Sequence, residues 1–183
     1  MNMLELQRAL FRLGFDPYGC DGIDGPHTRA ALVDYQHTIG EPETGEPDAA
    51  TVRAISDGLL ALEPLILAAH FTPASRPHSA PIDLVVVHTM EASEKPGTAL
   101  AVAKWFAGTA APMASAHYCV DDADVIACVL ESDVAWAAPG ANSNGVHIEH
   151  AGFASQSPEQ WADEYSVAVL ERSARLAARI ARR

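Results

Sequence analysis

Ile82-Asp83-Leu84-Val85-Val86-Val87-His88-Thr89 is the stretch that decides the fold of the larger part of this chain. Its length suits one strand, and its apolarity is too continuous for a strand with one wet face. It is therefore expected to be a central strand covered on both sides. The run closes on His88. Sites in such sheets form off the carboxyl ends of the strands. Taken alone, a histidine in that place is more often structural than a ligand.

Downstream, Thr98 to Phe106 reads as a helix, and Ala116–Val120 with Val125–Leu130 as a hairpin across an Asp-rich turn. Val146 to His150 reads as a further strand. Ser157-Pro158-Glu159-Gln160 is a capping box with proline at the first helical position. The helix that it opens carries Trp161, Tyr165, Val169, Leu176 and Ile180 on one face. The expected class is mixed α/β, with a central mixed sheet over residues 81–183.

Upstream the periodicity is helical. Met3, Leu6, Leu10 and Leu13 make one stripe, stopped by Gly14. Pro26 suits a first helical position, and Leu32, Tyr35, Gln36 and Ile39 form a second stripe ended by Gly40. Asp48 is a good N-cap for a third helix with Val52, Ile55 and Leu59. No internal repeat stands out. Residues 63–80 are Pro-rich without periodicity, which predicts a linker or an extended lead-in strand.

The composition narrows the function. Of 183 residues, 49% are apolar, enough for a real core, and the net charge of −12 argues against a nucleic-acid binder. Arg172, Arg175, Arg179, Arg182 and Arg183 read as the solvated face of the last helix. No segment approaches the roughly 18 apolar residues of a membrane span, so no membrane insertion is expected. Glu5 and Arg8 fall where the apolar core of a signal peptide would lie. With the turn at Asp121–Asp124, Cys119 faces Ile126 and Cys128 faces His117, which implies buried thiols rather than a disulfide.

Two blocks of motifs resemble known families. Leu6-Gln7, Leu10, Leu13-Gly14, Asp21-Gly22-Ile23-Asp24-Gly25-Pro26, Thr28-Arg29-Ala30-Ala31 and Tyr35-Gln36 resemble the three-helix peptidoglycan-binding domain. There the glycines allow a tight turn and the aspartates can cap the second helix. Val85-Val86-Val87-His88-Thr89-Met90, Ala114-Ser115-Ala116-His117-Tyr118, Val134-Ala135-Trp136 and Asn144-Gly145-Val146-His147-Ile148-Glu149-His150-Ala151-Gly152 occur in the order of the type-2 N-acetylmuramoyl-L-alanine amidases. That family is related to the peptidoglycan recognition proteins and the amidase-type phage lysozymes.

The resemblance implies a binding domain at 1–62 and an amidase domain at 81–183. It implies zinc as cofactor, bacterial peptidoglycan as partner and a monomer. His88 matches the first zinc ligand, and Glu149 the acid that activates a zinc-bound water. His117, Trp136, Asn142, Asn144 and His147 are expected near the substrate, with Asn142 to Asn144 lining a groove. His117 is expected to support the hairpin, and His150 to point away from the site. His27, His37, His70 and His78 are expected on the surface. Ala137 and Ala116 stand where relatives often carry His and Tyr. The family's remaining ligands are expected beyond Arg183, so the amidase domain reads as lacking its C-terminal part. The alternative is a peptidoglycan-binding protein without catalysis, and neither tight zinc binding nor cleavage of peptidoglycan by these 183 residues is expected. A wall-binding module without a leader suits an endolysin made in the cytoplasm and released through a holin to the cell wall.

Overall fold

A computed structural model describes residues 1–60, 63–73, 82–108, 110–111 and 113–181. These fall into two compact units, 1–60 and then 63–73 together with 82–181.

The first unit holds α1 (Met3–Arg12), α2 (Pro26–Ile39) and α3 (Ala49–Leu60). Asn2 and Glu5 close a reciprocal capping box on α1 at 2.8 and 2.9 Å. Leu6, Leu10, Ala31, Leu32, Tyr35 and Ile55 make the buried core. The aspartates expected to cap α2 do not. Gly25 is its N-cap without a side-chain bond. Asp21 instead accepts from the Ile23 amide and Gln7, and Asp24 pairs with Arg29 at 2.8 Å.

The unit is built twice, although its sequence displays no repeat. Gln7 on α1 accepts from the Gly22 amide (2.7 Å), and its Nε2 reaches the Ile23 carbonyl and the Thr28 hydroxyl. Gln36 on α2 accepts from the Gly45 amide (2.9 Å), and its Nε2 reaches the Glu46 carbonyl and the Thr51 hydroxyl. In both halves a buried glutamine anchors the next loop at a positive-φ glycine (Gly22 +78°, Gly45 +67°) and the third residue of the next helix. The glutamine–glycine separation is 15 residues in one half and 9 in the other, which hides the repeat.

The second unit contains β1 (Phe71–Thr72), β2 (Leu84–Thr89), α4 (Thr98–Ala107), β3 (Tyr118–Val120), β4 (Val125–Ala127), β5 (Val134–Ala135), β6 (Gly145–His150) and α5 (Glu164–Ile180). The main sheet has the order β2-β6-β3-β4. β6 runs parallel to both β2 and β3, and β4 is antiparallel to β3. One face carries Cys119, Ile126 and Cys128 against Ala99, Ala103 and Phe106 of α4. The other carries Tyr118, Val120, Val146 and Ile148 against Val169, Leu176 and Ile180 of α5. The hairpin register is the expected one, with Cys119 opposite Ile126, and the diagonal brings the free Cys119 and Cys128 sulfurs to 3.7 Å. Buried Asp121 accepts from the Ala99 amide, which supplies the α4 N-terminus with the side-chain bond that Gly97 lacks.

Four expectations change. The apolar run, expected at the centre, is an edge strand among the described residues, with Leu84, Val85 and Val87 exposed at 41%, 39% and 56%. The central place is taken by β6, half of whose residues are polar. Residues 63–73, expected within a linker, belong to this unit: Ala127 donates to the Pro64 carbonyl, Ala68 donates to Cys128 and is buried, and β1 pairs with β5. The rest of that stretch, 74–80, and His78 with it, lies outside the described residues. The capping box at Ser157 forms its two bonds but opens only the 3-10 turn Gln160–Ala162, and α5 starts afresh at its own N-cap, Asp163. Arg179 is no solvated residue, because it pairs with Glu63 and its Nε and Nη2 atoms are buried. Arg182 and Arg183 lie outside the described residues.

Candidate active site

Parallel pairing of β2 with β6 sets His88 opposite Glu149 and Val86 opposite His147. Side chains of one strand alternate faces and register partners share one, so His88, His147 and Glu149 lie on the α4 face of the sheet. His88 Nε2 stands 3.0 Å from His147 Nδ1. Behind His147 lies His117, with the rings stacked at 5.6 Å. The His147 amide donates to His117 Nδ1 at 3.0 Å, so that nitrogen carries no proton. His117 is accordingly the Nε2–H tautomer, donating to the Asp133 carbonyl at 3.3 Å.

Glu149 lies where β2 and β6 end. Its Oε2 is buried without a hydrogen-bond partner among the described residues. Burial, and secondarily the charge of Glu91, pushes its pKa up to about 7. Glu91 has a positive φ of 50° and bridges two loops, its Oε1 accepting from the Thr89 hydroxyl (2.6 Å) and the Ala154 amide (2.8 Å). Burial alone lowers the pKa of His88. A carboxyl group that titrates near neutrality can take up and release a proton at working pH. Glu91 was missed from sequence, and only the loop geometry reveals it.

The remaining expected residues hold loops. Trp136 donates from Nε1 to the Thr72 hydroxyl (2.8 Å) and stacks on His70 at 6.0 Å. Asn142 does not line a groove with Oδ1, which accepts from the Ala137 and Ala138 amides. Asn144 donates to Asp83 at 2.7 Å, fixing the start of β2. His150 is on the other face, 2.6 Å from the Ser173 hydroxyl of α5. His27 stacks on Tyr18, and His37 pairs with Glu43 at 2.7 Å.

Residues 78–183 match the model of a family described as N-acetylmuramoyl-L-alanine amidase, and this covers more than half of the chain. The chain belongs to that amidase family. Residues 2–55 match a family described as putative peptidoglycan binding domain. A curated relative, the putative OxPP cycle protein OpcA of Synechococcus elongatus, is 42% identical over 59 residues, 32% of this chain. The chain spans only 13% of that relative's length. Among solved structures, a mutant of PlyL is 16% identical with a TM-score of 0.49, over 65% of this chain and 73% of the other. A selenomethionine derivative of AmpD is 20% identical with a TM-score of 0.47, over 66% and 74%.

The imidazole nitrogens of His88 and His147 are donors of the kind that suit zinc. Among the described residues, no group of three His, Cys, Asp or Glu surrounds a common point. Two histidines alone do not make up the three protein ligands of a catalytic zinc site, and no further ligand joins them among the described residues.

Proposed function

We propose that the protein hydrolyses the amide between N-acetylmuramic acid and the L-alanine of the peptidoglycan stem peptide, with the first unit holding the insoluble substrate. Glu149 carries this reading: a carboxyl group with a buried, unpartnered oxygen and a pKa near 7, opposite His88 at the strand ends. As a carboxylate it takes a proton from the water that attacks the amide carbonyl. It then gives that proton to the departing alanine nitrogen as the C–N bond breaks, leaving a muramic acid carboxyl group and a free peptide amine. Zinc, when bound at His88, would polarise the carbonyl and make water more acidic. His117 keeps the strand under His147 in place, and Glu91 ties together the loops beside Glu149.

The test is incubation of the chain with purified sacculi, counting new N-terminal alanines in the supernatant and protein in the pellet. Release of alanine termini supports hydrolysis. A chain that pellets with sacculi and releases nothing returns the binding-only reading.

A further inference from the structure

We infer that Cys119 and Cys128 are a redox modification site, a buried dithiol that a peroxide closes to a disulfide beside Glu149. This goes beyond the hydrolysis reading and does not depend on it. The Cys128 thiol donates to the Cys119 sulfur at 3.7 Å. Both side chains are fully buried, in one cluster with Ala99, Ala103 and Phe106 of α4. The sulfurs of a disulfide stand about 2.05 Å apart, so roughly 1.7 Å remains to be closed. Cys119 is also the register partner of Glu149, on the same face of the sheet. The cross-link therefore ties the strand next to Glu149 to the chain that follows β4.

Ile126, not Cys128, is directly opposite Cys119, so the pair is a diagonal one. Diagonal neighbours in a regular ladder are about 7–8 Å apart, wider than most disulfides span. Here the ladder has ended. β4 stops at Ala127, and the Cys128 and Val129 amides share the His117 carbonyl at 2.8 and 3.4 Å. The backbone at Cys128 is thus released from the strand register and can follow its sulfur. The chemistry balances with a peroxide as oxidant. One thiolate attacks hydrogen peroxide and breaks its O–O bond, leaving a sulfenic acid and a hydroxide that becomes water with the thiol's proton. The neighbouring sulfur then attacks the sulfenic sulfur, forming the S–S bond and releasing a second water. Two electrons and two protons pass from the two thiols to one peroxide. The Cys128 thiol, and then burial, hold the Cys119 thiol well above its usual range, so thiolate is scarce and the first step is slow. The second step is fast, because the partner sulfur is already in place. A sulfenic acid at either sulfur is therefore captured before another peroxide reaches it.

The experiment treats the folded full chain overnight with a molar excess of hydrogen peroxide, while circular dichroism follows the fold. Remaining thiols are alkylated in denaturant, and trypsin releases Trp105–Arg172, which carries Cys119 and Cys128 without Cys20. Tandem mass spectrometry separates oxygen on the exposed Met113 from oxygen on either cysteine. We expect the fragment to lose two hydrogens at its cysteines, with neither sulfur alkylated and no second chain attached. Dithiothreitol should restore both thiols, and the dichroism should not change during oxidation. Two alkylated sulfurs, oxygen carried on either cysteine, or a bridge to another chain overturns the inference. So does a disulfide that forms only after the dichroism has been lost, because the site is then not one of the folded protein. The alanine-release assay on the reduced chain decides the hydrolysis reading separately.

Discussion

A carboxyl group that is largely buried, with one oxygen lacking any donor among the described residues, holds its proton to unusually high pH, and Glu149 is such a group. As a base it must first ionise, so the rate on sacculi should rise with pH through about 7. Part of that elevation comes from Glu91. Glu91→Gln keeps an acceptor for Thr89 and Ala154 but removes the negative charge, so the rising limb should move to lower pH. A pH–rate profile of the variant that overlays the wild type contradicts the coupling. His150 gives a prediction on stability. Burial, and then His88, pushes its pKa down from 6.5 to about 4, so the folded protein binds fewer protons than the unfolded chain in that range. Its stabilisation is complete above pH 6.5 and is lost as pH falls to about 4, in all about 3 kcal/mol. His150→Gln can still bond Ser173, and urea midpoints between pH 7 and 4 should fall less for it. Parallel wild-type and variant curves would remove His150 from the account. His88 and Glu149 were legible as candidates because motifs place them, whereas Glu91 has no sequence signature beyond an unremarked carboxylate.

At the scale of the element, most helices and strands could be read from the chain because their signals are local. Pro26, Gly40 and the 3.6-residue stripes bound α2 as expected. The failures are equally physical. Continuous apolarity predicts burial, yet among the described residues β2 lies at the edge of the sheet and β6, with His147 and Glu149, lies inside. A strand that must carry polar groups into a site cannot also advertise its burial by apolarity. Likewise the Ser157 capping box is satisfied in a single 3-10 turn, a local motif that cannot report how far a helix continues. The glutamine anchors went unnoticed because loops of different length interrupt the repeat. They make a strong claim: Gln36→Leu strands the Gly45 amide and the Thr51 hydroxyl in a buried place. With about 1–3 kcal/mol for each of the two unsatisfied groups, the first unit should lose about 2–6 kcal/mol in denaturant unfolding. A loss under about 0.5 kcal/mol would show that these bonds do not hold the loops.

For the whole molecule, the division of labour depends on where the catalytic unit begins. A chain starting at Ile82 omits β1, the Ala68 packing and the Glu63 partner of Arg179, leaving that half-buried guanidinium without its carboxylate. The pair is half-buried, so removing its carboxylate costs less than the full penalty of a buried pair, about 1–3 kcal/mol after solvent screening. The chain starting at Glu63 should therefore melt cooperatively, while the one starting at Ile82 should melt lower or not fold; equal melting temperatures contradict the boundary. Residues 1–62 alone should pellet with sacculi. The most direct test of the whole account compares wild type with Glu149→Gln in the release of N-terminal alanine from sacculi at pH 8. The amide fills the same space but cannot accept the proton. We predict a loss of about 10²–10⁴-fold with sacculus binding unchanged. A variant that releases alanine within a few-fold of wild type would contradict it.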